Sequence, residues 1–209
     1  MKTDPFSDAW DFLVGAQPDQ VGLGDLRWSF VGLFAVLLVA SFLIALIVWR
    51  RESRQRLDGV GPGPCSAWIF RLLIGIMWFQ GSLWKMPFPV APGFQYWTEQ
   101  MAKFAAWPWF GSIVTDYMLP NLVIVDPIVF AVEMGLAISL MLGLFVRPVA
   151  ALGALYVLGL FVGLYRHPDE WPWEYIFLSA VQGMFAVVGG RFSLGLDAII
   201  MPLWERRAR

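Results

Sequence analysis

The chain has 209 residues, of which 58% are hydrophobic and only 15% are charged, and its mean hydropathy is +0.63. About a quarter of the residues in a soluble domain are charged, so this composition predicts an integral membrane protein. The net charge of −1 and the lack of a basic stripe argue against a nucleic-acid-binding surface. Cys65 is the single cysteine of the sequence, so neither an intrachain disulfide nor a thiolate metal site can form. His167 is the single histidine, which excludes haem ligation by two histidines of this chain. No metal site is therefore predicted.

Five apolar runs are predicted to form transmembrane helices, because about 20 apolar residues of helix cross a bilayer core. The first run, residues 28–49, contains no charge and is longer than a signal-peptide core. The segment before it is acidic and no small-residue cleavage site follows it, so we expect it to be retained. The remaining runs are residues 66–86, 124–146, 148–165 and 174–189.

Positive charges predict the orientation of these spans. The loop after the first span is rich in arginine, and five spans place the arginines near the fourth span and in the C-terminal tail on the same side. The positive-inside rule then puts the N-terminus outside and the C-terminus in the cytoplasm. Tryptophans gather near the predicted span ends, as in the aromatic belts of membrane proteins.

The predicted fold is an all-α membrane protein made of a four-helix bundle and one extra N-terminal transmembrane helix. A Gly/Pro-rich stretch separates the extra helix from the bundle. The predicted parts are an acidic segment with the extra helix (1–57), a linker (58–65), the four-helix domain (66–200) and a basic cytoplasmic tail (201–209).

The long connection inside the four-helix domain, residues 87–123, is predicted to contain an amphipathic helix. Phe94, Trp97, Met101 and Phe104 recur at helical spacing, and polar residues occupy the other face. A helix lying on the outer surface fits this pattern. The sequence leaves open whether it covers a site or only caps the bundle.

Polar side chains inside the apolar runs are the candidate functional residues, because charges retained in a bilayer usually face the bundle interior and pair there. Glu133 lies near the middle of the third run, and Gln80 and Gln182 lie at a similar depth in the second and fifth runs. Lys85 lies beyond Gln80, and Glu174 begins the fifth run. These five side chains can form one polar pocket in the outer half of the bundle.

A catalytic and a structural interpretation of this pocket both stay open. In the catalytic one, Glu133 exchanges protons beside Lys85, and a further set of residues binds the substrate or a quinone. In the structural one, Glu133 pairs with a cation only to fix helix packing, Lys85 anchors the helix at the membrane surface, and the glutamines form interhelical hydrogen bonds. The predicted binding set is Arg71, Gln80, Trp84, Glu174 and Gln182.

Quinone chemistry motivates the catalytic interpretation. Quinone reduction takes up two protons with two electrons, and a quinone head needs hydrogen-bond donors and aromatic walls, which Lys85 and Trp84 can supply. The short signatures of dinucleotide, phosphate, zinc and haem sites are absent from the sequence. A redox role therefore needs a partner subunit or a bound organic cofactor.

Three segments between Trp68 and Ile200 resemble the DoxX family, and they read RLLIGIMWFQGSLWKM, EMGLAISLMLGLFVRPVAALGAL and GGRFSLGLDAII. The segment RHPDEWPWEY is similar to the DoxD branch of that family, the small subunit of thiosulfate:quinone oxidoreductase. The resemblance implies a four-helix bundle in the bacterial inner membrane, with no intrinsic cofactor and quinone as the candidate bound one. It also implies a small sulfur anion as substrate.

Two hypotheses of function follow, and whether the chain is an enzyme stays open between them. The first is a membrane subunit of a DoxD-type, quinone-linked oxidoreductase. The alternative is a non-catalytic accessory subunit of a larger respiratory or photosynthetic complex, because the extra helix and the aromatic loop offer surface for lipids and partners. Both predict contact with the bilayer and with other membrane or periplasmic subunits.

Overall fold

A computed structural model of the protein describes residues 4, 10, 24, 26–55, 62–189 and 193–200. The predicted tail 201–209, most of the acidic N-terminal segment and part of the linker lie outside these residues. Within them the chain is helical and has no strand. The α-helices are α1 (Arg27–Gln55), α2 (Pro62–Leu83), α3 (Pro92–Phe104), α4 (Pro108–Ile113), α5 (Leu122–Leu142), α6 (Val146–Leu164) and α7 (Pro172–Val188).

Four stretches in the described part of the chain are long and apolar enough to cross a membrane, which indicates a multi-pass membrane protein. The predicted fifth span is helix α7, which has 17 residues. Its length is roughly 25 Å, less than the bilayer core of about 30 Å. The four stretches are Arg27–Ser53, Gly63–Leu83, Pro108–Leu142 and Val146–Leu164.

Two tight helix pairs form the bundle, because α2 packs along α5 and α6 packs along α7. A glycine makes the second pair close: a Cβ at Gly153 of α6 would overlap the side-chain oxygen of Gln182 in α7. One end of the bundle carries α3 and α4, and we call it the cap end. The other end carries the turn between α5 and α6 together with residues 193–200, and we call it the turn end.

Helix α1 lies on the outside of the bundle. Leu37 packs into the main core, while Ala45 and Val48 pack against Leu194 at the turn end. The indole N–H of Trp68 donates a hydrogen bond to the Ser41 hydroxyl over 3.2 Å. The opposite face of α1 is apolar and exposed, as expected for contact with lipid. It presents Val36, Val39, Leu43 and Ile47.

Buried Arg71 closes the turn end. Its guanidinium donates to the backbone carbonyls of Leu140, of Met141 (3.1 Å) and of Ser193 (3.2 Å). The last carbonyls of a helix lack intrahelical donors and carry partial negative charge, so a cation there is stabilising. Arg71 therefore ties the end of α5 to the segment that follows α7.

An aspartate at the same end caps helix α6. The Asp197 carboxylate accepts hydrogen bonds from the backbone N–H groups of Phe145 and Val146, each over 2.8 Å. Helix α5 ends at Gly143, whose φ of 71° lies in the left-handed region that glycine adopts without strain. A Cβ at Gly143 would overlap the backbone of Gly195.

The predicted helix boundaries shift by a few residues. The third predicted span, 124–146, ends as a helix at Leu142, because the glycine turn stops α5. Helix α2 begins at Pro62, so the last residues of the predicted linker 58–65 are helical. The helix predicted in the long connection is α3, whose Phe94 is buried.

We predict that Gly143→Ala destabilises the protein by roughly 2 kcal/mol or more, because a left-handed alanine costs about 1–2 kcal/mol and its methyl group meets backbone. Gly135→Ala is the matched control, since a Cβ at Gly135 in the same helix would meet no atom within 4 Å. Denaturant titration in detergent micelles, followed by tryptophan fluorescence, measures both. Equal unfolding free energies in the two variants would contradict the described turn.

Candidate functional site

A buried ion pair lies near the cap end of the bundle. Lys85 follows the end of α2, and its Nζ lies 2.6 Å from both carboxylate oxygens of Glu133 in α5. The Glu133 side chain is fully buried and the Lys85 side chain is 12% exposed. The ammonium also lies 4.4 Å from the ring centroid of Trp84. Glu133 is thus paired with Lys85.

A tyrosine completes the cluster. The Tyr156 hydroxyl in α6 donates a hydrogen bond to Glu133 Oε1 over 2.6 Å. Its ring meets the ring of Trp78 edge to face, with centroids 5.3 Å apart, and the Trp78 indole N–H donates to Gln182 Oε1 over 2.9 Å. These contacts link α2, α5, α6 and α7. The Lys85–Glu133–Tyr156 cluster therefore takes its three side chains from the end of α2, from α5 and from α6.

The cluster borders a cavity of about 530 Å³. Small-molecule sites in proteins usually enclose about 300–1,000 Å³, so this cavity has the size of a ligand site. Lys85 and Tyr156 form part of its wall, and Leu155, which is 67% exposed, shows that the cavity reaches the surface of the bundle. Most of the remaining wall is aromatic or flexible apolar surface, and it includes Trp84, Phe94, Trp97, Met101, Phe110 and Met118.

A second polar pair faces the same cavity. Glu170 lies just before α7, and its Oε2 accepts a hydrogen bond from the Tyr175 hydroxyl over 2.7 Å. Thr98 also lines the cavity, but its hydroxyl donates to the Phe94 carbonyl within α3. The cavity therefore has a carboxylate on one side and the Lys85 ammonium on another.

The structure brings four of the predicted site residues together. Lys85 and Trp84 line the cavity, and Glu133 lies behind them in contact with Lys85. Gln182 is buried and binds Trp78, which packs on Tyr156. Gln182 thus supports the cluster without lining the cavity.

The other three predicted residues lie elsewhere. Gln80 is buried but does not line the cavity. Glu174 is exposed, and its neighbour Glu170 faces the cavity in its place. Arg71 lies at the turn end with its guanidinium on backbone carbonyls, so it belongs to a different cluster.

Tyr156 and Glu170 were not among the predicted site residues, and Trp97 was predicted only as part of the amphipathic helix. The predicted site residues were mainly charged and amide groups, and a tyrosine among leucines and valines has the pattern of an apolar core residue. A buried tyrosine hydroxyl usually has a hydrogen-bond partner, so Tyr156 in the middle of an apolar run was the available signal. Glu170 lies in a loop, where the apolar pattern carries no information about direction.

The geometry provides a hydrogen-bond donor and a buried acid beside an apolar cavity. Two of the three ammonium N–H groups of Lys85 serve Glu133, and the third has no other side-chain acceptor in the described part of the chain. Buried ion pairs add little net stability, so such a pair is weak evidence for a purely structural role. No group of three or more His, Cys, Asp or Glu side chains among the described residues could hold a metal ion.

Comparison with protein-family models, with curated proteins and with solved structures finds no match to this chain. The functional interpretation therefore rests on the geometry of the cap end and on the sequence motifs.

We predict that Lys85→Met destabilises the protein by about 3–5 kcal/mol, because it leaves the buried Glu133 carboxylate without its cation. The double variant Lys85→Met/Glu133→Gln removes both charges and should lose at least about 2 kcal/mol less than the single variant. Lys103→Met is the matched control, since Lys103 is exposed on α3, and it should cost less than about 1 kcal/mol.

Unfolding free energies in detergent micelles measure all three variants. A double variant that is as unstable as Lys85→Met would contradict the pairing. The loss of unfolding free energy would then come from removing the Lys85 side chain itself and not from leaving the Glu133 carboxylate without a cation.

Proposed function

We propose that the chain is the membrane subunit of a DoxD-type, quinone-linked oxidoreductase and that its cap-end cavity binds the quinone head. The main support for the proposal is that fully buried Glu133, which is hydrogen-bonded to Lys85 and Tyr156, lies directly behind the wall of a cavity lined by aromatic side chains. Apolar residues of similar volume often replace a buried ion pair without loss of stability, so helix packing alone does not require this cluster.

The cavity fits a quinone head in size and in chemistry. Its volume of about 530 Å³ accommodates a substituted ring, and Trp84, Phe94 and Trp97 supply flat apolar surface for ring contacts. The third N–H of Lys85 can donate to a carbonyl oxygen in the cavity. The opening beside Leu155 gives an isoprenoid tail a route to the lipid.

Proton transfer is the part of the reaction that this chain performs. Quinone reduction consumes two electrons and two protons, and the electrons come from oxidation of a small sulfur anion, such as thiosulfate, on a partner subunit. Tyr156 lies between Glu133 and the cavity, so its hydroxyl can release a proton into the cavity and regain one from protonated Glu133. Lys85 holds Glu133 in place and stabilises its ionised form.

In the proposed topology, the chain crosses the bacterial inner membrane five times, and its N-terminus and the cap end lie outside. Helix α7 crosses as the short fifth span, and its exposed Trp171 and Trp173 lie in the outer headgroup zone. Arg147 at the turn end then faces the cytoplasm, in line with the positive-inside rule. This arrangement places the cavity in the outer half of the bundle, the half nearer to a periplasmic partner.

A non-catalytic accessory subunit is the second candidate function. The observation that favours it is the long apolar face of α1, which packs on the bundle with one side only. A larger respiratory or photosynthetic complex can cover that face. The two candidate functions predict different native complexes: a small one with a sulfur-oxidising subunit for the enzyme, and a large electron-transfer assembly for the accessory subunit.

We predict that Gly159→Phe weakens binding of a short-chain quinone by roughly tenfold or more, which corresponds to about 1.4 kcal/mol. Gly159 lines the cavity and a Cβ there meets no atom within 4 Å, so a phenylalanine ring fills the ligand space. Gly159→Ala is the matched control and should bind within about twofold of the unchanged protein. Quenching of tryptophan fluorescence by the quinone reports the affinity in detergent micelles.

Equal affinities in the unchanged protein and Gly159→Phe would contradict binding in this cavity. Unfolding midpoints of both variants exclude a general loss of structure as the reason for weaker binding.

We also predict that gentle detergent extraction, followed by intact-mass spectrometry, recovers this chain in a small complex with a sulfur-oxidising subunit. A large electron-transfer assembly without such a subunit would contradict the enzyme proposal and favour the accessory one. The purified complex is then assayed for quinone reduction with thiosulfate, against the same complex carrying Glu133→Gln.

A further inference from the structure

A second buried carboxylate lies close to the ion pair. Asp126 is fully buried in α5, two helical turns before Glu133 and on the same face of the helix. Lys85 interacts electrostatically with Asp126 as well as with Glu133. The charge of one ammonium group therefore acts on two acids, although only Glu133 is hydrogen-bonded to it.

Only one of the two carboxyl oxygens of Asp126 has a hydrogen-bond partner among the described residues. Its Oδ2 accepts from the Ala91 backbone N–H over 2.9 Å, and its buried Oδ1 has no hydrogen-bond partner within the described residues. Asp126 also lines a separate cavity of about 320 Å³, formed by residues 87–90 and the start of α5. This cavity has room for several water molecules, since one occupies about 30 Å³. Phe88 in its wall is 78% exposed, so the cavity lies at the surface.

One added proton balances the charges of this region. Two ionised carboxylates and one ammonium would leave a net charge of −1 at the edge of an apolar bundle, which is costly even beside a cavity with room for water. Buried Arg71 does not compensate, because its guanidinium binds the carbonyls at the turn end. One proton shared between Asp126 and Glu133 makes the group neutral.

We propose that Asp126 carries an exchangeable proton and forms, with Lys85 and Glu133, a proton-transfer site that opens into the cavity at residues 87–90. In the described state, Glu133 is ionised and bonded to Lys85, and Asp126 is protonated. Lys85 gives a proton to Glu133, breaking one N–H bond and forming one O–H bond, and regains a proton from Asp126 through intervening water, because no hydrogen bond or ion pair joins the Lys85 and Asp126 side chains directly. The ammonium then balances the charge of ionised Asp126, and the net charge is zero before and after the step.

Water in the cavity at residues 87–90 reprotonates Asp126 once Glu133 has passed its own proton on through Tyr156. The groups that face the exchange are Lys85, Glu133 and Tyr156, each from a different helix or helix end. The transfer step rests on the proposed function, because Glu133 passes its proton on through Tyr156 to a ligand in the larger cavity. The protonation of Asp126 does not depend on that ligand.

Infrared spectroscopy of the full-length protein in detergent at neutral pH tests this proposal. We expect a carbonyl stretch from a protonated carboxylic acid that moves in D₂O. The band should shift when side-chain ¹³C-aspartate is incorporated and stay in place with labelled glutamate. Asp126→Asn should abolish the band, whereas the matched control Asp116→Asn should retain it, because Asp116 is exposed.

A band that is absent from the unchanged protein, or that shifts only with labelled glutamate, would overturn the proposal. So would a band of full intensity in folded Asp126→Asn. If Asp126→Asn does not fold, the labelled unchanged protein alone decides, since it separates aspartate from glutamate without a substitution.

Discussion

Charged groups inside an apolar bundle are the constraint on which this structure depends. Glu133 is fully buried, and an ionised carboxylate in such surroundings is stable only with a cation and hydrogen-bond donors around it. The chain provides them from different helices: Lys85 from the end of α2 and Tyr156 from α6, with Trp78 and Gln182 holding Tyr156 in position. The polar cluster thereby fixes how the four helices of the bundle meet, and the bundle leaves a cavity beside the cluster.

The two ends of the bundle use buried charge in opposite ways. At the turn end, Arg71 and Asp197 bind backbone groups of helix ends, and Arg71 Nε, which has no hydrogen-bond partner among the described residues, borders neither of the two cap-end cavities. At the cap end, Lys85 and Asp126 keep capacity that no described side chain uses, and both border cavities. This difference explains why we assign a structural role to the first group and a chemical role to the second.

The sequence predicted the helical membrane fold well, because long apolar runs leave few alternatives. It also predicted that Glu133 and Lys85 lie in one pocket, since charges within apolar runs stand out, and the structure pairs them. It assigned Arg71 to the binding set, because the sequence does not reveal which backbone carbonyls lie beside a residue. Tyr156 was missed for a related reason: the direction in which a side chain points depends on helix rotation, and an apolar run with a weak polar face does not determine the rotation. The turn at Gly143 shortened the third span for a tertiary reason, the close approach of Gly195.

Electron cryo-microscopy of the native complex in lipid nanodiscs shows whether the cap-end cavity holds a quinone beside the buried cluster. With added short-chain quinone, we expect ring-shaped density between Trp84 and Tyr156, with an oxygen within hydrogen-bond distance of Lys85 Nζ. The same map without quinone should lack this density. A cavity filled by side chains of a partner subunit, or unchanged by quinone, would contradict quinone binding at the cap end.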